Sequence, residues 1–522
     1  MGLPDPLAGT WGSQRDEADR KIREFYQTAM ELLRVIVLTM YFSTMGALAL
    51  FGFHRLYLLL LLYRHRTDPP PAHEEPPLPP LVTVQIPIYN ESNVAPRLIE
   101  ALCRLDYPRD RLEIQILDDS TDDTRERIAA HAERFRREGH DLQILHRDRR
   151  TGFKAGALAE GLARARGEFI AVFDADFLPG PSFLRETLPY FSDPRAGMVQ
   201  ARWGHLNRDA SVLTRVQALL LDGHFLIEHA ARHRSGLFFN FNGTAGIWRR
   251  RCIEDAGGWQ HDTLTEDLDL SYRAQLAGWR FVFLPATIAP AELPVEISSF
   301  QCQQHRWTKG SIQTARKLLP RILGSSLPLP VRAEALAHLT ANLGHVLMVL
   351  FSVLLVPAML LRSEMPWQLS LAIDVPVLTF STLSYWLFYT AAAVEGGRRA
   401  STALRTMPML MAVGVGLSVN NARAVLAGFF GTLGTFERTP KHGVLDGGGH
   451  APERCYRTAS THSPWLEAFF AVYFTAGLLI AVRASLWAFL PCLLLFGSGY
   501  LHATAASLVE AARARRPPTA AA

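Results

Sequence analysis

Two aspartates, Asp174 and Asp176, stand one residue apart in the run GEFIAVFDADFLPG, residues 167–180. Carboxylates this close repel one another unless a cation lies between them. Hard Mg2+ or Mn2+, held by one or two carboxylates together with substrate phosphates, is the usual tenant of such a pair. Phe169, Ile170, Ala171 and Val172 precede the acids as an apolar run, and Pro179 and Gly180 turn the chain after them. The pattern predicts a buried parallel strand with the acids at its carboxyl end, where open α/β sheets bind ligands. A polar loop after any strand would look the same, because D-x-D is only three letters long.

Other chemistry-bearing residues fall at the ends of similar runs. LVTVQIPIYNE, residues 81–91, ends in Tyr89, Asn90 and Glu91, and LEIQILDDS, residues 112–120, ends in Asp118 and Asp119. LQILHRD, residues 142–148, is a further short strand, and charged helical stretches such as 124–138 separate the strands. Alternation of this kind is the signature of βαβ units and a parallel sheet. Polar tips on three strands of one sheet converge on one cleft, which makes a chance D-x-D much less plausible. No GxGxxG follows the first strand, which disfavours a Rossmann dinucleotide domain.

Two constellations lie further on. Thr265-Glu266-Asp267 opens LTEDLDLSYRAQLAGW, a predicted helix with Thr265 or Asp262 as N-cap. Acids in a first turn also serve simply to complement the helix dipole, worth about 0.3–1 kcal/mol each. FQCQQHRWTKG, residues 300–310, places Gln303, Arg306 and Trp307 on a single turn. An amphipathic helix at a membrane surface would use Trp and Arg in the same way.

The elements that position these residues must be partly membrane-borne. The chain has 522 residues, 48% of them hydrophobic, with mean hydropathy just above zero. Its apolar residues are segregated: residues 32–63 carry only Arg34, His54 and Arg55 as chargeable groups, and more apolar runs follow residue 331. That predicts membrane spans flanking a soluble block. A net charge of +5 is small for this length, and the basic residues cluster beside apolar runs, so they read as topology signals and not as a nucleic-acid surface. Five scattered cysteines with no CxxC indicate neither a disulfide framework nor a zinc site.

The predicted order is an N-terminal segment (1–30), a transmembrane helix (31–63), a Pro-rich linker (64–80), and a cytosolic α/β domain with interfacial helices (81–330). A transmembrane hairpin (331–394), an interfacial helix with a loop (395–462), a second hairpin (463–508) and a cytosolic tail (509–522) follow. The first apolar run is too long, and lacks a small-residue cleavage site, for a signal peptide. Arg64 and Arg66, then Arg398, Arg399 and Arg405, then Arg513, Arg515 and Arg516 mark the inside. Residues 408–430 begin apolar but are interrupted by Asn420, Asn421 and Arg423, and are read as a helix lying in the interface. Five spans result, with the amino terminus outside.

Taken together and in order, these motifs resemble those of the membrane-embedded family 2 glycosyltransferases, and most nearly the cellulose-synthase-like glucomannan and mannan synthases. The residues carrying the resemblance are Tyr89-Asn90-Glu91, Asp118-Asp119, Lys154-Ala155-Gly156, Asp174-Ala175-Asp176, Phe241-Asn242-Gly243-Thr244, Thr265-Glu266-Asp267 and Gln303-x-x-Arg306-Trp307, with Phe436-Glu437-Arg438-Thr439-Pro440-Lys441 beyond. The resemblance implies a GT-A type nucleotide-sugar-binding α/β domain, with a mostly parallel sheet, inserted between transmembrane helices. The stretch after the last apolar run predicts no cyclic-dinucleotide-sensing barrel of the kind that bacterial cellulose synthases append.

Residue by residue, the resemblance makes Tyr89 the base-stacking ring, with Glu91, Asp118 or Asp119, and Lys154 around base and ribose. Asp174 and Asp176 would hold the donor and Mg2+ or Mn2+ at its diphosphate. Asp267, beside Glu266, would be the general base of an inverting transfer. Gln303 and Arg306, with Thr439 and Lys441, would bind donor; Trp307 would carry the acceptor sugar. Asn242 stands where cellulose synthases have cysteine and faces the acceptor. The implied activity is processive synthesis of a β-linked glucan, mannan or glucomannan from UDP-glucose or GDP-mannose at the plasma (inner) membrane, with a polysaccharide or lipid acceptor, the bilayer, and a periplasmic or cell-wall receiver as partners. A single-transfer, ceramide-type lipid glycosyltransferase shares most of these motifs. An inactive scaffold or transporter would have no reason to keep like charges at strand tips.

Overall fold

The computed structural model describes residues 8–66, 78–363, 365–431, 441, 443 and 464–514. A long helix, α1 (Ala8–Arg64), leads to an α/β block made of β1 (Val82–Ile88), α2 (Ala95–Cys103), β2 (Leu112–Asp118), α3 (Thr124–Arg137), β3 (Asp141–His146), α4 (Phe153–Arg164) and β4 (Phe169–Val172). The block continues through α5 (Phe183–Thr187), β5 (Ala196–His205), α6 (Val212–Asp222), α7 (Ala230–Arg234), β6 (Gly246–Arg249), α8 (Arg250–Asp255), α9 (Glu266–Leu276) and β7 (Arg280–Ala291). Six helices follow that are longer or more apolar, namely α10 (Ile297–Leu323), α11 (Leu329–Thr340), α12 (Leu343–Leu361), α13 (Trp367–Glu395), α14 (Ala400–Phe430) and α15 (Trp465–Arg483), and the last described helix is α16 (Leu490–Ala514).

The sheet runs β3-β2-β1-β4-β6-β5-β7, and only β6 opposes its neighbours. β1 and β2 are buried almost throughout, which explains their near-continuous apolar sequences. Their few inward polar groups answer one another: Thr83 donates to Glu113 at 2.5 Å, and Gln85 to Gln115 at 3.1 Å. Because β2, β1 and β4 are parallel neighbours, their carboxyl ends lie side by side. That register brings Asp118, Tyr89 and Asp174 to one edge.

The membrane-type helices meet the sheet domain through α10 and through contacts of α1 with α7 and of α13 and α14 with α6. Glu510 of α16 accepts from the backbone N–H groups of Ile297 and Ser298 at 2.6 and 3.1 Å, so a carboxylate caps the first turn of α10 where the dipole favours it. At its other contact face, α10 packs against the start of α9. A Cβ on Gly310 would lie 2.5 Å from Thr265, so only glycine permits that approach.

Among the described residues, five helical stretches have the length and composition to cross a membrane: Asp19–Arg64, Leu343–Leu361, Ala400–Phe430, Trp465–Arg483 and Trp487–Ala512. The sequence reading counts residues 369–394 in place of Ala400–Phe430. Asn420 and Asn421 do not interrupt α14. They are buried, with Asn420 donating to the Gln301 carbonyl at 3.0 Å and Asn421 bonded to His345 Nε2 at 3.1 Å. α14 packs on α6 of the sheet domain, with Ala403, Met407 and Leu410 in the same apolar cluster as Leu219 and Phe225. At its other end Gly428 abuts Ile312 of α10, and its carbonyl accepts from Arg316 at 3.0 Å. A helix of 31 residues, about 46 Å long, therefore touches the sheet domain near its start and α10 at its end.

Candidate active site

One cleft opens at the carboxyl edge of the sheet. Its walls include Tyr89, Glu91, Asp119, Lys154, Asp174, Asp176, Asn242, Glu266, Asp267, Gln303, Arg306, Trp307 and Lys441. Asp118 is placed elsewhere. It is 1% exposed and turned under the strand tip, where it takes His146 Nδ1 at 3.0 Å and the N–H of Ser120 at 3.0 Å. Of the two acids expected near base or ribose, only Asp119 reaches the cleft. Thr439 lies outside the described residues.

Local geometry explains each position. Asn90 adopts φ 53, a left-handed turn that asparagine tolerates, and its side-chain oxygen accepts from Thr121 N at 2.8 Å. This turn brings the β1 tip and the β2 tip together and leaves Tyr89 on the cleft wall. The Asp174 N–H donates to Thr244 Oγ1 at 2.8 Å, tying the β4 tip to the 241–244 turn. Lys154 completes that tie, with Nζ 2.5 Å from Asp174 Oδ1 and 2.8 Å from the Gly243 carbonyl. Gly243 has φ +81, and a Cβ there would lie 3.0 Å from Asp267 Oδ2 and 3.4 Å from Lys154 Nζ. Glycine is needed both for the turn and for the approach of the Asp267 carboxylate.

Glu266 and Asp267 occupy the first turn of α9, whose N-cap Thr265 makes no side-chain capping bond. Asp267 Oδ1 accepts from the N–H of Leu268 at 2.8 Å. Burial, then the adjacent Glu266 charge, push the Asp267 carboxyl up to about 7, against the pull of Lys154. Burial likewise raises Glu266. The Lys154 ammonium is lowered by burial but raised more by Asp174, Glu266 and Asp267, and stays charged. A carboxylate held near neutrality beside a fixed cation is suited to accept a proton.

Several residues here carry no motif a reader of the sequence would single out. Trp203, within β5, makes a second indole beside Trp307, their ring centres 6.4 Å apart, and its Nε1 has no hydrogen-bond partner among the described residues. Arg147 grips Asp119 with two bonds of 2.7 and 2.6 Å, and Arg150 stacks on Tyr89. Glu292, just after β7, accepts from Gly443 N at 2.8 Å while its carbonyl accepts from Lys441 Nζ at 2.8 Å. The HRDRR run of residues 146–150 is the one signal that pointed toward Arg147 and Arg150.

The carboxylates fit a hard divalent ion. Lys154 and Lys441 take Asp174 Oδ1 and Asp176 Oδ2, and both acids line the cleft. Among the described residues no group of three or more His, Cys, Asp or Glu is placed to hold an ion.

A mostly parallel sheet with a D-x-D at its carboxyl edge and a near-neutral carboxyl across the cleft is the GT-A type of nucleotide-sugar-binding domain. Residues 79–310 match the family described as glycosyltransferase like family 2. Glucomannan 4-beta-mannosyltransferase 2 of Arabidopsis thaliana is 44% identical over 249 residues, 47% of either chain. Glucomannan 4-beta-mannosyltransferase 1 of Oryza sativa subsp. japonica is 39% identical over 317 residues, 58% of this chain and 60% of the relative. The chain thus spans about half to three-fifths of these relatives' lengths. A mannosyltransferase from Pyrobaculum calidifontis, solved with GDP-Man and Mn2+, superposes with a TM-score of 0.50 at 23% identity, covering 70% of this chain and 98% of that one, and shares its fold.

Proposed function

We propose that this chain is a processive, inverting glycosyltransferase that builds a β-linked mannan or glucomannan from GDP-mannose and passes it through the membrane. The observation that carries the reading is the single cleft that holds Asp174 and Asp176, the Asp267 carboxyl beside Lys154, and the paired indoles of Trp203 and Trp307. The mannosyltransferase relatives, and the GDP-Man and Mn2+ bound to the structural neighbour, favour mannose and guanosine diphosphate over glucose and uridine diphosphate.

In this reading Tyr89 and Glu91 hold the nucleoside, and Lys154, Gln303 and Arg306 surround the diphosphate, Arg306 as a cation with a bidentate fork. Asp174 and Asp176 would hold Mg2+ or Mn2+, which supplies charge neutralisation to the leaving diphosphate. Trp203 and Trp307 offer apolar faces to the acceptor sugar. Asp267 takes the proton of an acceptor hydroxyl as its oxygen bonds to the anomeric carbon, and the bond from that carbon to the diphosphate breaks on the opposite face. The product is inverted, and nucleoside diphosphate leaves with the electron pair.

For topology, α14 packs on α12, α13 and α16 as well as on α6 of the sheet domain and on α10; we read it as lying along the membrane face, with the α6 and α10 contacts in support. Lys441, ten residues beyond the last described turn of that stretch, then stays on the side of the cleft, in keeping with its ion pair to Asp176. The sheet domain would be cytosolic, with the part of α1 before residue 31 beyond the opposite face. The experiment that tests the function is incubation of the purified chain with labelled GDP-mannose or UDP-glucose and Mn2+, followed by sizing and β-mannanase digestion. Long mannanase-sensitive chains that vanish with excess chelator are expected. Absence of any incorporated sugar overturns the reading.

A further inference from the structure

The guanidinium carbon of Arg150 lies 3.5 Å above the centre of the Tyr89 ring. That is van der Waals contact between carbon atoms, so nothing fits between the two groups. A base stacking on that face of Tyr89 has to take the place of the guanidinium. Asp119, 3.7 Å from Arg150 Nε, is gripped by Arg147 through Nε and Nη2 at 2.7 and 2.6 Å. Arg150 and Glu91 line the same end of the cleft as Tyr89, so a displaced guanidinium stays beside whatever base displaced it.

We propose that Arg150 selects the nucleobase of the donor: it yields its place on Tyr89 to the base and, together with Glu91, favours guanine over uracil. The inference rests on the glycosyltransferase reading above and adds the residue that chooses the nucleotide. Guanine carries two adjacent acceptors, O6 and N7, which match the planar fork of an arginine. It also carries N1–H and the N2 amino group side by side, a donor pair that matches the two oxygens of one carboxylate. Uracil offers neither arrangement, since its one ring N–H lies between two carbonyls. The cation on Tyr89 also keeps that ring face out of water while no nucleotide is bound, which prepares an apolar slot.

Calorimetry of GDP and UDP binding to the purified full chain in detergent with Mn2+ tests this. The wild type is expected to prefer GDP, and Arg150→Ala to reduce the GDP-to-UDP affinity ratio by roughly 5- to 150-fold, the discrimination of one bidentate fork. Arg150→Lys, which keeps the charge and loses the fork, should lose the ratio while holding UDP as the wild type does. Equal losses for GDP and UDP would make Arg150 a phosphate-binding or structural residue and overturn the proposal. So would a wild type that prefers UDP. Failure of the wild type to bind either nucleotide would remove the glycosyltransferase reading and this proposal with it, whereas normal binding with an unchanged ratio in the variants removes the proposal alone.

Discussion

Lys441 Nζ lies 2.7 Å from Asp176 Oδ2, so a residue from the segment beyond α14 supplies a positive charge to the second acid of the D-x-D. The ammonium also donates to the Glu292 carbonyl at 2.8 Å and is nearly buried. In the donor-free protein this ammonium stands where a divalent ion would be attracted. Lys441→Ala is therefore expected to bind free Mn2+ more tightly than the wild type, read by electron paramagnetic resonance, while sugar transfer falls roughly 10- to 150-fold, the worth of one charge-assisted contact to the diphosphate. Unchanged Mn2+ affinity would mean that Lys441 does not compete for Asp176.

The raised Asp267 carboxyl gives the reaction a pH signature. With Asp267 as the proposed general base, kcat/KM should rise with pH through about 7. Glu266→Gln removes the neighbouring negative charge and should move that limb to lower pH. Stability runs the other way. A carboxyl whose folded value exceeds its unfolded value, about 3.9, keeps its proton longer in the folded state, so donor-free stability falls as pH rises from about 4 to 7. Asp267→Asn should flatten that decline in a thermal melt, and a melt with the wild-type slope would contradict the assignment.

Trp307 and Trp203 form one aromatic wall, and aromatic faces pack on sugar rings without fixing their register, so a chain can slide along them. Trp307→Ala should abolish elongation while leaving donor hydrolysis largely intact. Gel filtration of labelled product against released GDP separates the two. A wild type that makes only a singly glycosylated lipid would move the reading to the lipid enzyme.

The path of α14 has its own test. In a background without the five native cysteines, Met365→Cys should react with an impermeant maleimide from outside the cell, and Gly443→Cys only after permeabilisation. Outside labelling of Gly443→Cys would make α14 a span and would separate Lys441 from Asp176.

Much of the sheet and most of the cleft were legible because each rests on short, local rules. Apolar runs with polar tips marked β1, β2 and β4, and the Glu266-Asp267 pair announced itself at a helix start. What stayed hidden depends on register between distant segments. Asp118 and Asp119 are adjacent in sequence, yet strand alternation sends one under the sheet edge and the other into the cleft. Trp203 looks like any strand aromatic until α10 brings Trp307 to it. Asn420 and Asn421 read as polar interruptions of an apolar run because their partners, Gln301 and His345, lie on other helices.

The most direct test of the account measures two quantities on one variant, Asp267→Asn, in the purified chain: the rate of mannosyl transfer at saturating donor, and the affinity for GDP. Loss of a positioned general base predicts a rate lower by roughly 100- to 10,000-fold with GDP affinity essentially unchanged. Weakened GDP binding with the saturated rate preserved would contradict it, because Asp267 would then be a donor ligand and the proton acceptor would have to be another group in the cleft.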